Sequence, residues 1–209
     1  MDPILDSLAE YATTLSYRDL PPGIVAMAKQ RLFDALGCAI GAYDCEPARI
    51  ARALAGPPAR GAQAGRIVGS QDLAAADAAG FANTCMIRNL DFNDTLLPGG
   101  HPSDCSGALF AVAPVIGATG ERLITAMVIA YETLIRLQEC AKLRERGWDQ
   151  GFGIGVGTAA GLANLMELSH EAARHAISIT CVANVPTRIA PAALSRAVIV
   201  QSSLAMLSA

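Results

Sequence analysis

Residues 73–103 read LAAADAAGFANTCMIRNLDFNDTLLPGGHPS, and their two halves set the terms for the whole chain. The first half is dense in alanine, the residue that loses least on entering a helix, and it predicts a long helix from Leu73 to Asn89. The second half, Leu90 to Ser103, holds Pro98, Gly99, Gly100 and Pro102, which break regular structure and predict a loop. From Ser106 to Ile116 the chain turns apolar again and predicts a further helix. A polar loop enclosed by greasy helices is thus the central feature of the sequence.

Outward from that stretch the same helical spacing recurs. Leu5, Leu8, Ala9, Ala12 and Leu15 form one stripe, predicting a helix over Pro3–Ser16. Ile24, Met27, Ala28, Arg31, Leu32, Ala35, Leu36 and Ala39 form another, running toward Tyr43 after the Pro21-Pro22 punctuation. Asp34 falls among these apolar positions and reads as a structural, hydrogen-bonding carboxylate. Glu46–Leu54 predicts a short helix, Gly56–Gly65 a loop and Arg66–Gly69 a short extended piece. Beyond the Gly117–Gly120 break, a helix is expected over Glu121–Glu145; Gly153, Gly155 and Gly157 lead into another that runs to Met166; and a last one runs from Ser169, as N-cap, to Val182. Arg146–Gly151 is a second loop, with Trp148 as its anchor. Gly151, Gly153, Gly155 and Gly157 invite comparison with a phosphate-cradling run, but no strand precedes them and a nucleotide site does not follow. Every clear element is helical. The reading is an all-α, multi-helix, bundle-like domain.

Composition agrees. Of 209 residues, 52% are hydrophobic and only 17% charged, which excludes a disordered chain, and the scarcity of aromatics (5%) disfavours a β-sandwich. The net charge of −3 is spread without long runs, so neither a nucleic-acid face nor a basic membrane anchor is expected. The longest apolar stretch, Gly107–Ala118, contains Pro114 and is too short to span a bilayer. Met1-Asp2-Pro3 lacks the basic-then-apolar pattern of a secretory leader, and a cytoplasmic protein is expected. The six cysteines form no CxxC pair and no Cys/His cluster, so reduced thiols are expected and a zinc site is not.

Chemistry concentrates in Asp91-Phe92-Asn93-Asp94-Thr95 and His101-Pro102-Ser103. An imidazole exchanges a proton near neutral pH, carboxylates and a hydroxyl can orient it or hold a substrate group, and the preceding glycines let backbone approach a ligand. A capping aspartate and a surface histidine would account for the same residues equally well. Arg188 is a candidate for carboxylate binding, because its guanidinium fork matches a carboxylate. His170 and His175 read as structural or exposed.

Asp-Phe-Asn-Asp-Thr (residues 91–95) followed by His-Pro-Ser (101–103) resembles the signature of the MmgE/PrpD family, which includes 2-methylcitrate dehydratase and cis-aconitate decarboxylase. Tyr17–Pro21, Asp34–Cys38, Ala79–Asn83, Tyr131-Glu132, Arg146–Asp149, His175–Ser178 and Asn184-Val185 resemble the family in the same order. The resemblance therefore covers Leu5 to Arg188. It implies a lyase or isomerase acting on small di- and tricarboxylates without metal or organic cofactor, in which a helical domain pairs with an α+β lid. It also implies catalytic roles for His101, Asp91 and Thr95, with Asp94, Ser103, Gln150 and Arg188 as substrate-binding candidates. His101 would transfer a proton or contact a carboxylate.

Three departures stand beside the resemblance. Gln150 occupies the position after Trp-Asp where the 2-methylcitrate dehydratase branch has histidine, and glutamine cannot shuttle a proton. Val198 occupies the place of a family lysine, with Arg196 nearby, and the sequence ends at Ala209, before a lid. The expectation is a helical domain over residues 1–190, a divergent tail over 191–209, and a truncated lyase with little or no turnover alone. The alternative is a non-catalytic helical remnant or subunit. Either way a homodimer or a partner chain is expected, since removing packed neighbours exposes apolar faces.

Overall fold

The computed structural model describes residues 2–97 and 100–183. Arg188, Arg196, Val198 and the tail over 191–209 lie outside them. Eight α-helices and one two-stranded ribbon make up the described chain: α1 (Pro3–Thr14), α2 (Pro22–Gly41), α3 (Glu46–Leu54), β1 (Ala64–Arg66), β2 (Leu73–Ala75), α4 (Ala76–Asn89), α5 (Ser106–Val112), α6 (Gly120–Ala141), α7 (Gln150–Leu165) and α8 (His170–Val182). The all-α expectation holds, and no helix among the described residues is long and apolar enough to cross a membrane.

Local chemistry fixes many of the ends. Asp2 caps α1 by accepting from the amides of Ile4 and Leu5, at 2.9 and 3.3 Å. Ser169 caps α8, as its position suggested, accepting from Ala172 N at 3.2 Å. At the end of α6, Lys142 enters the left-handed region (φ 47°) and stops the helix four residues before the expected Glu145. The helix predicted from Leu73 instead begins at Ala76. Leu73–Ala75 pair antiparallel with Ala64–Arg66, and Ala75 N also donates to Gly56 O at 3.0 Å. Gly65 permits that pairing, because a Cβ there would lie 2.8 Å from Ala76 Cα.

The main core joins α2 through α7, with Met86, Ile87, Leu109, Met127 and Leu134 fully enclosed, while smaller clusters seat α1 and α8 against α7. The glycines of α7 lie inside the helix, not in a lead-in loop, and they set its contact with α6. A Cβ on Gly157 would stand 2.5 Å from Ala130 O, and one on Gly161 would stand 2.7 Å from Ala126 O. Backbone meets backbone at Gly157 and Gly161, a close approach that a larger residue would block. All six cysteines are free. Cys38 and Cys105 are buried and Cys140 is exposed.

Candidate active site

The loop between α4 and α5 folds back on itself. Leu96 and Gly100 exchange backbone hydrogen bonds of 2.6 and 2.7 Å, forming a narrow hairpin that delivers His101 to the base of the loop. Gly100 has φ +109°, and a Cβ on it would overlap the Gln150 side chain, so the first residue of α7 rests directly on the hairpin. The turn after His101 is a short 3₁₀ helix, Pro102–Cys105, which is buried throughout.

Asp94 braces the hairpin. Its Oδ1 accepts from Ser103 N at 2.9 Å, its Oδ2 accepts from the Tyr131 hydroxyl of α6 at 3.0 Å, and its backbone carbonyl accepts from His101 Nδ1 at 2.8 Å. A carbonyl can only accept, so Nδ1 carries the ring proton and Nε2 presents a lone pair when the imidazole is neutral. Burial, reinforced by the Asp94 charge, pushes the Tyr131 phenol well above its ordinary value and keeps it a donor.

Nε2 of His101 lies 3.6 Å from Asp91 Oδ1, too long for a hydrogen bond. The histidine side chain is only 14% exposed and that of Asp91 is 69% exposed, so this pair marks the boundary between hairpin and solvent. Asp91 adopts φ +57°, a left-handed conformation that aspartate tolerates, and it is ion-paired with Arg88. Arg88 Nε also stands 3.9 Å from the buried Asp104, and Asn93 Nδ2 donates to Asp104 Oδ1 at 3.2 Å and to Ser103 Oγ at 2.8 Å. A polar layer thus underlies the exposed pair. Asn93 of the signature belongs to it with Arg88 and Asp104, and neither of the latter two stands out in the sequence, because their grouping is tertiary.

The candidate residues divide by position. His101, Asp91, Asp94 and Gln150 gather on or against the hairpin. Ser103 is fully buried with its hydroxyl accepting from Asn93, so it supports the loop from beneath. Thr95 is exposed and looks into a cavity of about 230 Å³ between α2 and α6, shared with Asp94, Tyr131 and Arg31. A wider groove of about 760 Å³ runs beside α2 and is bordered by Leu90 and Phe92, the neighbours of Asp91, with Arg31 again in its wall. Arg31 stands between two cavities and makes no hydrogen bond or ion pair among the described residues. Its place on the α2 stripe hid it from sequence reading. Asp34 also lines the groove and has no hydrogen bond among the described residues, against the structural role expected of it. No group of three or more His, Cys, Asp and Glu side chains among the described residues could hold a metal ion.

Fold and site together define a helical domain that offers histidine and aspartate from one inter-helix hairpin, beside an arginine-walled groove. The chain belongs to the MmgE/PrpD family, matching the MmgE/PrpD N-terminal domain over residues 6–202. It is 31% identical over 207 residues to a 2-methylcitrate dehydratase-like protein of Aspergillus oryzae, an alignment covering 90% of this chain and 41% of that protein. It is 32% identical over 170 residues to the 2-methylcitrate dehydratase of Escherichia coli, covering 72% and 34%. An alkylcitrate dehydratase of a fungal species is 30% identical over 185 residues, covering 78% and 36%. The chain spans well under half the length of these relatives.

Proposed function

We propose that this chain supplies the proton-transfer and carboxylate-binding face of a lyase that removes water from a small polycarboxylate. The observation that carries the reading is the fixed imidazole: Nδ1 is committed to Asp94 O, and Nε2 is left facing the exposed Asp91. In the proposed step, Nε2 takes a proton from the carbon beside a carboxylate and the C–H electron pair becomes a carbon–carbon double bond. The neighbouring hydroxyl departs with that proton as water, so the imidazole is regenerated. Asp91 and Thr95 orient the hydroxyl or a carboxylate, and Arg31 neutralises carboxylate charge. The family's named dehydratases support water as the group removed.

Proton NMR of 2-methylcitrate with the purified chain in heavy water tests this, because it reads both the alkene formed and deuterium entering beside a carboxylate. Deuterium entry needs only the first half of the chemistry. His101→Ala is expected to lower the signal by about 10²–10⁴-fold. A wild-type chain showing neither signal above buffer, or a His101→Ala variant that keeps both, would overturn the proposal.

Gln150 favours a second reading. Its amide rests on Gly100 at the position where the related branch carries histidine, and an amide moves no proton. On this reading the domain acts by association, as one copy of a homodimer or as the subunit of a partner chain, and its apolar outer surface is the contact.

A further inference from the structure

We infer that a cavity where α1, α6 and α7 meet is a second binding site, and that its ligand is a small aliphatic amine in its ammonium form; the inference is independent of the lyase reading above. The cavity holds about 370 Å³, within the range of about 300–1,000 Å³ that small-molecule sites occupy. It is remote from the hairpin. Asn164, near the end of α7, belongs to its wall, whereas the hairpin rests on Gln150 at the start of the same helix. At about 1.5 Å of rise per residue the two stand roughly 20 Å apart.

The ligand class follows from where the donors of the wall already point. The hydroxyl of Thr13 donates to Ala9 O at 2.8 Å, that of Thr14 to Glu10 O at 2.8 Å, and that of Thr125 to Glu121 O at 2.9 Å. Ser16 Oγ donates to Asp19 at 2.6 Å. Both protons of the Asn164 amide are committed, to Ala12 O at 2.8 Å and Leu15 O at 3.2 Å. What these side chains retain are lone pairs: a hydroxyl whose proton is spent can only accept, and so can the amide oxygen. Tyr17 and Thr119 alone among the lining residues keep a hydroxyl proton to donate.

Charge points the same way. Glu121 and Glu167 line the cavity against a single guanidinium, that of Arg122, which is already engaged with Leu165 O and, at 3.2 Å, with Glu167. The C-terminal ends of α1 and α7 both border the space and favour a positive charge, while Glu121 offsets the opposite, N-terminal end of α6. Tyr17 adds an aromatic ring of the kind whose face attracts an ammonium. A wall of acceptors with surplus negative charge calls for a ligand that brings both the protons and the cation, and an ammonium group carries up to three N–H donors on one charge.

Calorimetric titration of the chain with butane-1,4-diamine, butan-1-amine and butane-1,4-diol at matched ionic strength tests the inference, because the diol has the size without the charge. Both amines are expected to bind at least about 10-fold more tightly than the diol. Glu121→Gln is expected to weaken the amines by about 10-fold, whereas Glu139→Gln, an exposed position of α6 outside the cavity, should change nothing. Threonine-methyl NMR of the wild-type chain should show Thr13, Thr14, Thr119 and Thr125 responding to the amine. Equal binding of the diol, or no binding of either amine, would overturn the proposal. So would threonine methyls that stay still, a loss in Glu139→Gln equal to that in Glu121→Gln, or full displacement of the amine by an equal concentration of potassium.

Discussion

Replacing Gly157 of α7 with alanine sets two effects of opposite sign against each other. In an open helix interior, Gly→Ala stabilises by about 1 kcal/mol, because glycine loses more backbone freedom on folding. At Gly157 the new Cβ would stand 2.5 Å from Ala130 O, whereas C···O contacts settle at about 3.3–3.6 Å, so α7 must retreat from α6 by roughly 1 Å. Overpacking costs about 1–3 kcal/mol, and an unyielding backbone carbonyl places this case in the upper half. The net expectation is a loss of about 1–2 kcal/mol, or about 2–8 °C in Tm for a domain of this size. Gly37 is the control: it lies within α2, and nothing lies within 4 Å of the Cβ it would gain. Gly37→Ala should raise Tm by about 2–4 °C. Paired thermal melts by circular dichroism measure both. If Gly157→Ala stabilises as much as Gly37→Ala, α6 and α7 are not held at backbone contact.

Burial pushes the thiol of Cys85 up to about 11 and that of Cys105 up to about 12. Above pH 9 the unfolded chain releases these protons and the folded one keeps them, so stability must fall as pH rises, by at most about 1.4 kcal/mol per thiol per pH unit. A urea midpoint that holds steady or climbs between pH 9 and 10.5 would refute this; at pH 8 a thiol reagent should label exposed Cys140 well before either buried residue. On the outer surface, Phe33 (80% exposed), Ile40 (64%) and Phe92 (78%) leave apolar side chains in solvent, and Phe33 and Ile40 are seven residues apart on one face of α2. Light scattering at micromolar concentration should show a dimer or larger species that Phe33→Ser with Ile40→Ser weakens, and a monodisperse monomer would remove the association reading.

The helices were legible because their apolar stripes are local, and Ser169 announced its own cap. Leu73–Ala75 misled because leucine and alanine favour helix, whereas their strand conformation comes from antiparallel pairing with Ala64–Arg66 upstream. The glycines of α7 looked like a lead-in loop because glycine weakens helix propensity; the close α6 contact that rewards them has no signature in a single segment. At the site, His101 and Asp91 could be singled out from their residue types. Asp94 as a brace, Ser103 as a buried support and Arg31 as a cation between two cavities could not, since each role is decided by what another helix brings alongside.

The acceptor that orients His101 is a main-chain oxygen. No amino-acid exchange at position 94 deletes it, so drift there can loosen the turn while leaving the bare ring nitrogen the same. Variation in this lineage can therefore remodel the surrounding carboxylates and cations without reassigning which ring nitrogen carries the proton.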